Sequence, residues 1–337
     1  MTGEARTDAP RTGAPRPPAL TIEAWRRLLR DRPLIPLVAL LVGLVAVLEA
    51  VRPGIVTAEW VGVTVRAAVP LAILAGCQTL AMLTGGIDLS IGSVASMAAF
   101  VMATLVNGQG PIVAIVIAFA AATLVGAVTG IGIGVFKVHP LIMTLGMSFI
   151  VLGLVAVYQL AMVLSGVVIP APILWLGGGT TIDFLPNSLV LFIPLSLLIV
   201  VGLRRSGYGR LLFAVGDNVV AARLAGVRVW QVLVVLYTIS AVLAAIAGLL
   251  VAGLNNTASP LLADQLVLPS VAAAVIGGTS ILGGRGGFTG TIVGALILTL
   301  LTTLLTVLEM PEAVRQILFG AIIVVVAAAY TRVTGEA

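Results

Sequence analysis

Asp88 is the residue whose type and position first invite a chemical reading. It lies in Leu83–Ser93, LTGGIDLSIGS, where Gly85 and Gly86 precede Asp88, Ser90 and Ser93 inside an otherwise apolar sequence. At this spacing a carboxylate can accept the amide of Ser90 or Ile91 and start a new helix, whose amino-terminal dipole favours negative charge. The other reading is direct contact with a polar solute. Bare exposure to hydrocarbon is the poorest option, because an unpaired charge there costs several kcal/mol. A second stretch, Gly277–Gly290, GGTSILGGRGGFTG, again closes an apolar run with a glycine pair, Gly277 and Gly278, and then places Gly283 and Gly284 beside Arg285. It lacks the lysine and the strand-to-helix setting of a phosphate loop, so a bend or gate is the better physical reading, with Arg285 facing a soluble partner or lipid phosphates.

The remaining reactive residues offer no catalytic set. The single histidine, His139 in FKVHPLIM, has no HExxH partner and no carboxylate placed for metal chemistry, so no metal site is expected. Pro140 restrains the turn that follows it. The single cysteine, Cys77, excludes an internal disulfide and reads as a buried packing residue. No G-x-x-x-x-G-K-[ST] sequence occurs, so ATP hydrolysis by this chain alone is not expected.

The elements that position these residues follow from composition. The 337 residues are 60% hydrophobic and only 9% charged, with a mean hydropathy of +1.21. A soluble domain carries about 25% charged residues, so the chain reads as an all-α polytopic membrane protein. Helices satisfy their own backbone in lipid, and crossing takes about 20 residues. The sequence predicts about ten spans: Leu34–Val51, Val61–Leu83, Ile91–Val106, Ile112–Val135, Leu141–Val163, Leu189–Leu203, Trp230–Val251, Val267–Gly278, Phe288–Leu308 and Val314–Tyr330. The third and eighth are short or glycine-rich and are expected to be broken, tilted or re-entrant. Domain limits follow: residues 1–32 a tail ending in a basic interfacial helix at Thr21–Arg32, 33–330 the membrane domain, and 331–337 a second tail.

Charge supports the parity. With an even number of spans and both termini inside, the inner side receives the seven Arg of the tail, Lys137, Arg204, Arg205, Arg210, Arg223, Arg228, Arg285 and Arg332. The outer side keeps Arg52, Arg66 and Arg315, a division of 15 to 3 that matches the positive-inside bias. The net charge of +5 therefore needs no nucleic-acid partner. The outer segment Ser165–Asn187 offers Trp175 and Phe184 as exposed aromatics for a lid or docking surface, or is simply a surface loop. The inner segment Arg204–Arg228 is too charged to span. Within it NVVAARLAG carries an apolar stripe of Val219, Ala222, Leu224 and Ala225 beside Arg223; Asp217 or Asn218 can cap that helix and Gly226 can stop it. It reads either as a coupling helix for a soluble partner or as a helix lying on lipid.

Four blocks carry a resemblance. LTGGIDLSIGSVASMAAF (83–100), TLGM (144–147), SGYGRLLFAVGDNVVAARLAGV (206–227) and AAAVIGGTSILGGRGGFTGTIVGALIL (272–298) resemble the permease subunits of ribose-type ABC sugar importers, within the branched-chain amino acid/ribose permease superfamily. The resemblance runs from about Leu34 to Tyr330. It implies a permease that moves a monosaccharide such as ribose or xylose across a bacterial cytoplasmic (inner) membrane, or alternatively a nucleoside or other small polar solute. It also implies the partners: a second permease subunit, identical or paralogous, an ABC ATPase subunit that binds the ATP and magnesium, an extracytoplasmic solute-binding protein, and membrane lipids. No cofactor is implied on this chain itself.

Carried over by residue, Gly207, Gly209, Arg210, Gly216, Asn218, Ala221, Ala222, Arg223, Leu224, Ala225 and Gly226 fit the family's ATPase-coupling block, to which Asp217 is added from the local reading. The chain differs from the usual pattern at Val219 and Val220, and at Leu268–Ser270, where relatives commonly carry an acidic residue. A sugar needs hydrogen-bonding groups along its route, for which Gln78, Thr79, Thr84, Ser90, Ser93, Ser96, Thr144, Ser148, Asn255, Asn256 and Ser270 are candidates. Each of these can equally join helix to helix or cap a turn. A proton-coupled transporter fits less well, because Asp88 has no partner acid or histidine for a relay.

Overall fold

The computed structural model describes residues 34–162 and 166–334, with side chains through residue 325. The expected tail helix Thr21–Arg32 and residues 335–337 lie outside the described residues. Helix α1 is Leu34–Val51, α2 Ala58–Leu83, α3 Ile91–Gln109, α4 Pro111–Gly134, α5 Pro140–Ala161 and α6 Ala171–Gly178. A small antiparallel pair, β1 Thr180–Ile182 and β2 Leu185–Pro186, precedes α7 Ser188–Arg205. Then come α8 Gly207–Asp217, α9 Val219–Leu224, α10 Val229–Asn255, α11 Val267–Ile276, α12 Phe288–Val307 and α13 Glu312–Thr334.

Eight of these, α1 to α5, α7, α10 and α12, are long and apolar enough to cross a membrane. The eighth expected span is indeed cut short: α11 has ten residues, about half a bilayer. The third is not, since α3 runs for 19 residues and is a full-length helix. Its small residues, among them Gly92, Ser93, Ala95 and Ser96, belong to a buried packing face, not to a break. The last helix continues to Thr334, a turn beyond its expected end at Tyr330.

Burial divides the helices into a centre and a rim. α2, α3 and α10 bury most of their length, with α10 packed on both α2 and α3. α1, α5 and α7 face outward, with Leu160 79% and Leu198 69% exposed. Large aliphatic side chains displayed in that number suit lipid and not water. α4 and α10 make the largest helix interface, and its cause is a stripe on α4: Ala114, Ala118, Ala122, Gly126, Gly130 and Gly134 recur at every fourth residue. Lipid tails are as apolar as leucine, so association in a membrane relies on close packing, which small residues allow. A Cβ on Gly130 would stand 2.5 Å from the Cα of Val234, and one on Gly126 2.6 Å from the Tyr237 carbonyl oxygen.

Two ends emerge from the connections. At one, the end of α2, the end of α8 and the 277–287 loop meet, while the α4–α5 turn adjoins the start of α10. Lys137, Arg204, Arg205, Arg210, Arg223, Arg228 and Arg285 all fall on the segments gathered there, so it is the basic end. At the opposite end, residues 166–187 of the expected outer segment hold α6 and the β pair: Ile173 and Gly177 of α6 are buried, with Gly177 against the backbone of Gly253 in α10. Trp175 and Phe184 are exposed as expected, at 47% and 41%.

Gly130→Leu should therefore lower stability by about 1–3 kcal/mol through overpacking of α4 on α10. Gly146→Leu on α5, where nothing lies within 4 Å, should change it by less than about 0.5 kcal/mol. Thermal unfolding of the two purified variants in the same detergent checks the contrast.

Candidate functional site

Where α2 ends, the chain must turn in a region packed on all sides. It stops with Gly85 at φ +77°: the Gly85 amide reaches the Met82 carbonyl (2.9 Å) and the Gly86 amide the Ala81 carbonyl (3.1 Å). This left-handed closure favours glycine. α11 ends in the same way, with Gly278 at φ +87°, Gly278 N to Val275 O (2.9 Å) and Thr279 N to Ala274 O (3.0 Å). α9 repeats it at Gly226, φ +85°, with Val227 N to Ala222 O at 3.0 Å. The likeness expected of the two glycine pairs is thus a shared helix stop.

Between α2 and α3, residues 84–90 leave the helical ladder, and their polar groups find partners on three other helices. Gln78 of α2 donates to the Asp88 carbonyl (2.8 Å) and accepts the Asp88 amide (3.2 Å). Thr144 of α5 donates to the Ile87 carbonyl and accepts the Leu89 amide, both at 3.1 Å. The Asp88 side chain does what its position suggested. Its Oδ1 accepts the Ser90 amide (3.0 Å) and hydroxyl (2.6 Å). Its Oδ2 accepts the hydroxyl of Ser240 from α10 at 2.8 Å. Ser240 was not anticipated; the only sign in the sequence is an isolated serine in the apolar run of α10. Asp88 is 2% exposed and has no cationic neighbour, since the ion pair seen among the described residues is Arg315–Glu312. The Tyr237 hydroxyl, buried and without a partner, lies against Gly86, where a Cβ would approach it to 2.8 Å.

The other polar candidates are used locally. Thr79 bonds Thr291 of α12 at 2.7 Å, and Thr84 the Ala81 carbonyl at 2.9 Å. Ser93 bonds the Ser90 carbonyl at 2.9 Å, and Ser270 the Val267 carbonyl at 2.6 Å. Ser96 accepts the amide of Ala263 at 2.9 Å. Asn255 and Asn256 are exposed at the opposite end, far along α10 from the break, and Asn256 adopts the left-handed stop of that helix at φ +50°. Thr79 and Ser96 join separate segments, whereas Thr84, Ser93 and Ser270 bond carbonyls of their own turn.

What the structure does bring together is one member of each of the three candidate groups. The Leu83 carbonyl, left free by the end of α2, accepts the Gly284 amide at 3.0 Å. Gly216, on the last turn of α8, is pressed so closely on the same carbonyl that a Cβ there would collide with it. Gly283, at φ +97°, would meet the Gly216 carbonyl at 2.7 Å and the Gly85 amide at 3.1 Å; Gly284, at φ +69°, abuts Asp217. Gly277 instead packs α11 on α12, its would-be Cβ 2.5 Å from the Thr291 amide, while Gly278 and Arg285 are exposed.

The charged segment that supplies Gly216 holds two helices where one was expected. α8 is capped by Ser206, whose hydroxyl accepts the Gly209 amide at 2.9 Å, and Gly209 lies against the Leu203 carbonyl. Asn218, not Asp217, caps α9, its Oδ1 accepting the Val220 and Ala221 amides at 2.9 Å; Asp217 is the final residue of α8. Within α9 only Ala222 is buried. Ala221, Arg223 and Leu224 face outward, Leu224 at 84% and Val220 at 65% exposed, and Arg210 is exposed on α8. Of the expected apolar stripe, Val219, Leu224 and Ala225 are displayed and Ala222 is packed.

Comparison with known proteins gives consistent likenesses. Residues 61–327 match the family described as branched-chain amino acid transport system / permease component. The chain is 32% identical to the ribose import permease protein of Escherichia coli (strain K12), over 77% of this chain and 81% of that one. It is 31% identical to the fructose import permease protein of Rhizobium meliloti, over 77% and 74%, and 30% identical to the ribose import permease protein of Bacillus subtilis (strain 168), over 66% and 69%. No solved structure matches the chain.

Asp88→Asn should keep most of the folded protein, because an amide oxygen can still accept from Ser90. Asp88→Leu strands the Ser90 and Ser240 donors, at about 1–3 kcal/mol for each unsatisfied buried group. The amount of inserted, detergent-stable protein should fall in the order wild type, Asn, Leu; equal recovery of the Leu variant would remove the capping role.

Proposed function

The chain belongs to the permease-component family of branched-chain amino acid transport systems, and from that premise we propose that it is the permease subunit of an ABC importer whose cargo is a monosaccharide. The substrate class rests on one observation: the similarity to ribose and fructose import permeases spans roughly three quarters of both chains. As a member of that family, the protein is a multi-pass membrane transport component and not an enzyme. ATP binding and hydrolysis belong to an ATPase subunit with its own magnesium. Cargo arrives from an extracytoplasmic solute-binding protein, and a second permease subunit completes the membrane unit. The basic end faces the cytosol, following the charge bias of its loops.

The chain's own contribution is mechanical. α9 offers Leu224, Val220 and Arg223 as the surface an ATPase grips, and α8 and α9 follow one another through the Asn218 cap. Gly216 at the end of α8 rests on Leu83 and Gly284, so displacement of the segment bears on the ends of α2 and the 277–287 loop at once. Both places are helix stops, and a bend there changes the tilt of α3 and α12. Gly85, Gly283 and Gly284 thereby act as the gate. The polar candidates around Asp88 keep the break closed to lipid, and the sugar route runs between two permease subunits, since within one subunit these groups are already paired.

Three outcomes are expected with a cognate ATPase and binding protein in proteoliposomes. The chain alone hydrolyses no ATP, whereas the full complex takes up labelled ribose or fructose in an ATP-dependent way. Uptake of uridine in place of either sugar would replace the monosaccharide reading. Leu224→Asp should weaken recovery of the ATPase in the complex by roughly tenfold or more, as for a buried interface anchor. Gly216→Ala, whose Cβ would collide with the Leu83 carbonyl, should lower uptake per ATP hydrolysed in the complex that still assembles; unchanged uptake per ATP would reject the Gly216 contact as the transmitting element.

A further inference from the structure

A cavity of about 580 Å³ opens at the basic end between the α4–α5 turn, the end of α9 and the start of α10. Three cations line it from three separate elements: Lys137 from the turn, Arg223 from α9 and Arg228 just before α10. None has an ion-pair or side-chain hydrogen-bond partner among the described residues, and no carboxylate lines the cavity. Three like charges held around one opening repel one another, and a single anion would relieve all three. Lys137 is fixed there by a left-handed backbone, φ +57°. Arg228 precedes the first turn of α10 without capping it, so the positive end of that 27-residue helix adds to the field.

The rim identifies the kind of anion. Trp230, half-exposed, lines the opening beside the cations. The adjoining Val135 and Phe136 are exposed at 49% and 74%. Cationic groups bordered by an exposed indole and apolar side chains at the end of membrane helices match an amphiphile, with a phosphate for the cavity and acyl chains for the rim. A soluble phosphate would use only half of this surface.

We propose that this cavity is a binding site for the headgroup of an anionic phospholipid, held by Lys137 and Arg228 with Arg223 closing its third side. A lipid seated here ties the end of α4 and the start of α10 to the back of α9, and so steadies the segment that carries Leu224. The inference does not depend on the transported solute or on the identity of the ATPase.

The test uses the purified full chain in detergent, titrated with phosphatidylglycerol, with phosphatidylcholine of the same acyl chains, or with inorganic phosphate, and read by thermal unfolding. Phosphatidylglycerol should raise the unfolding midpoint above that with phosphatidylcholine, and inorganic phosphate should not. Lys137→Gln with Arg228→Gln should raise the half-saturating phosphatidylglycerol concentration roughly 10- to 30-fold while leaving the midpoint in phosphatidylcholine unchanged. Arg223 is kept, so loss of an ATPase contact cannot imitate the result, and Arg204→Gln, outside the cavity, should behave as wild type. An equal shift by inorganic phosphate, an equal response to both lipids, an undiminished response of the double variant, or an equal loss in Arg204→Gln would each overturn the proposal.

Discussion

A peptide group that leaves its helix within a membrane protein must be met by another protein group, because hydrocarbon offers none. Residues 84–90 are where this requirement falls most heavily, and the structure answers it with a side-chain amide, two hydroxyls and a carboxylate. Gln78 copies the pairing of a backbone neighbour by bonding both the amide and carbonyl of Asp88, while Thr144 does the same across Ile87 and Leu89. The carboxylate then holds Ser90, the residue from which α3 begins, and takes the Ser240 hydroxyl. Four helices, α2, α3, α5 and α10, are thereby fixed around a short irregular segment. The arrangement of the centre follows from that fixing: α10 must run beside α2 to present Ser240, and the same approach lets the Cys77 thiol reach the Ser240 carbonyl at 3.3 Å.

The second condition is distance. Packing without hydrophobic gain between helices depends on backbones coming close, and the small residues are spent where two backbones meet. On α4 they form a stripe against α10. At the basic end they do something different, since Gly85, Gly216, Gly283 and Gly284 allow three chain segments to share the one carbonyl of Leu83. A stripe packs one helix along another, whereas the cluster brings three chain segments together at one point. In the proposed importer that difference separates the fixed centre from the moving gate.

Charge organises the surface of the same end. Exposed Arg210, Arg223 and Arg285, and Arg228 at the cavity, lie within a short span of chain from the glycine cluster, and Lys137 reaches the cavity from the α4–α5 turn. An apolar, exposed Leu224 stands among them. The proposed contacts with a soluble subunit and with lipid phosphates would fall on neighbouring faces of one short helix, whose position both would influence.

The sequence by itself determined the environment, the spans and the helix stops. Apolar length is a property of consecutive residues, so the end of α1 at Val51 was readable to the residue and the other spans to within a few, and a glycine pair ending an apolar run marks a helix stop at Gly85 and Gly278 without any knowledge of neighbours. A cap at Asp217 or Asn218 and the bond from the Ser90 amide to Asp88 were legible for the same reason, the donor amides lying two or three residues away. The rest depended on which surfaces face each other. The small residues of α3 resembled a break because composition does not tell a glycine that bends a helix from one that admits a neighbour. α8 was hidden by its charges, and Ser240, 152 residues from Asp88, carries no local sign of its partner. The meeting of Gly85, Gly216 and Gly284 was decided only in the tertiary structure, because a hydrogen bond between distant segments is set by packing in space and leaves no period in the chain.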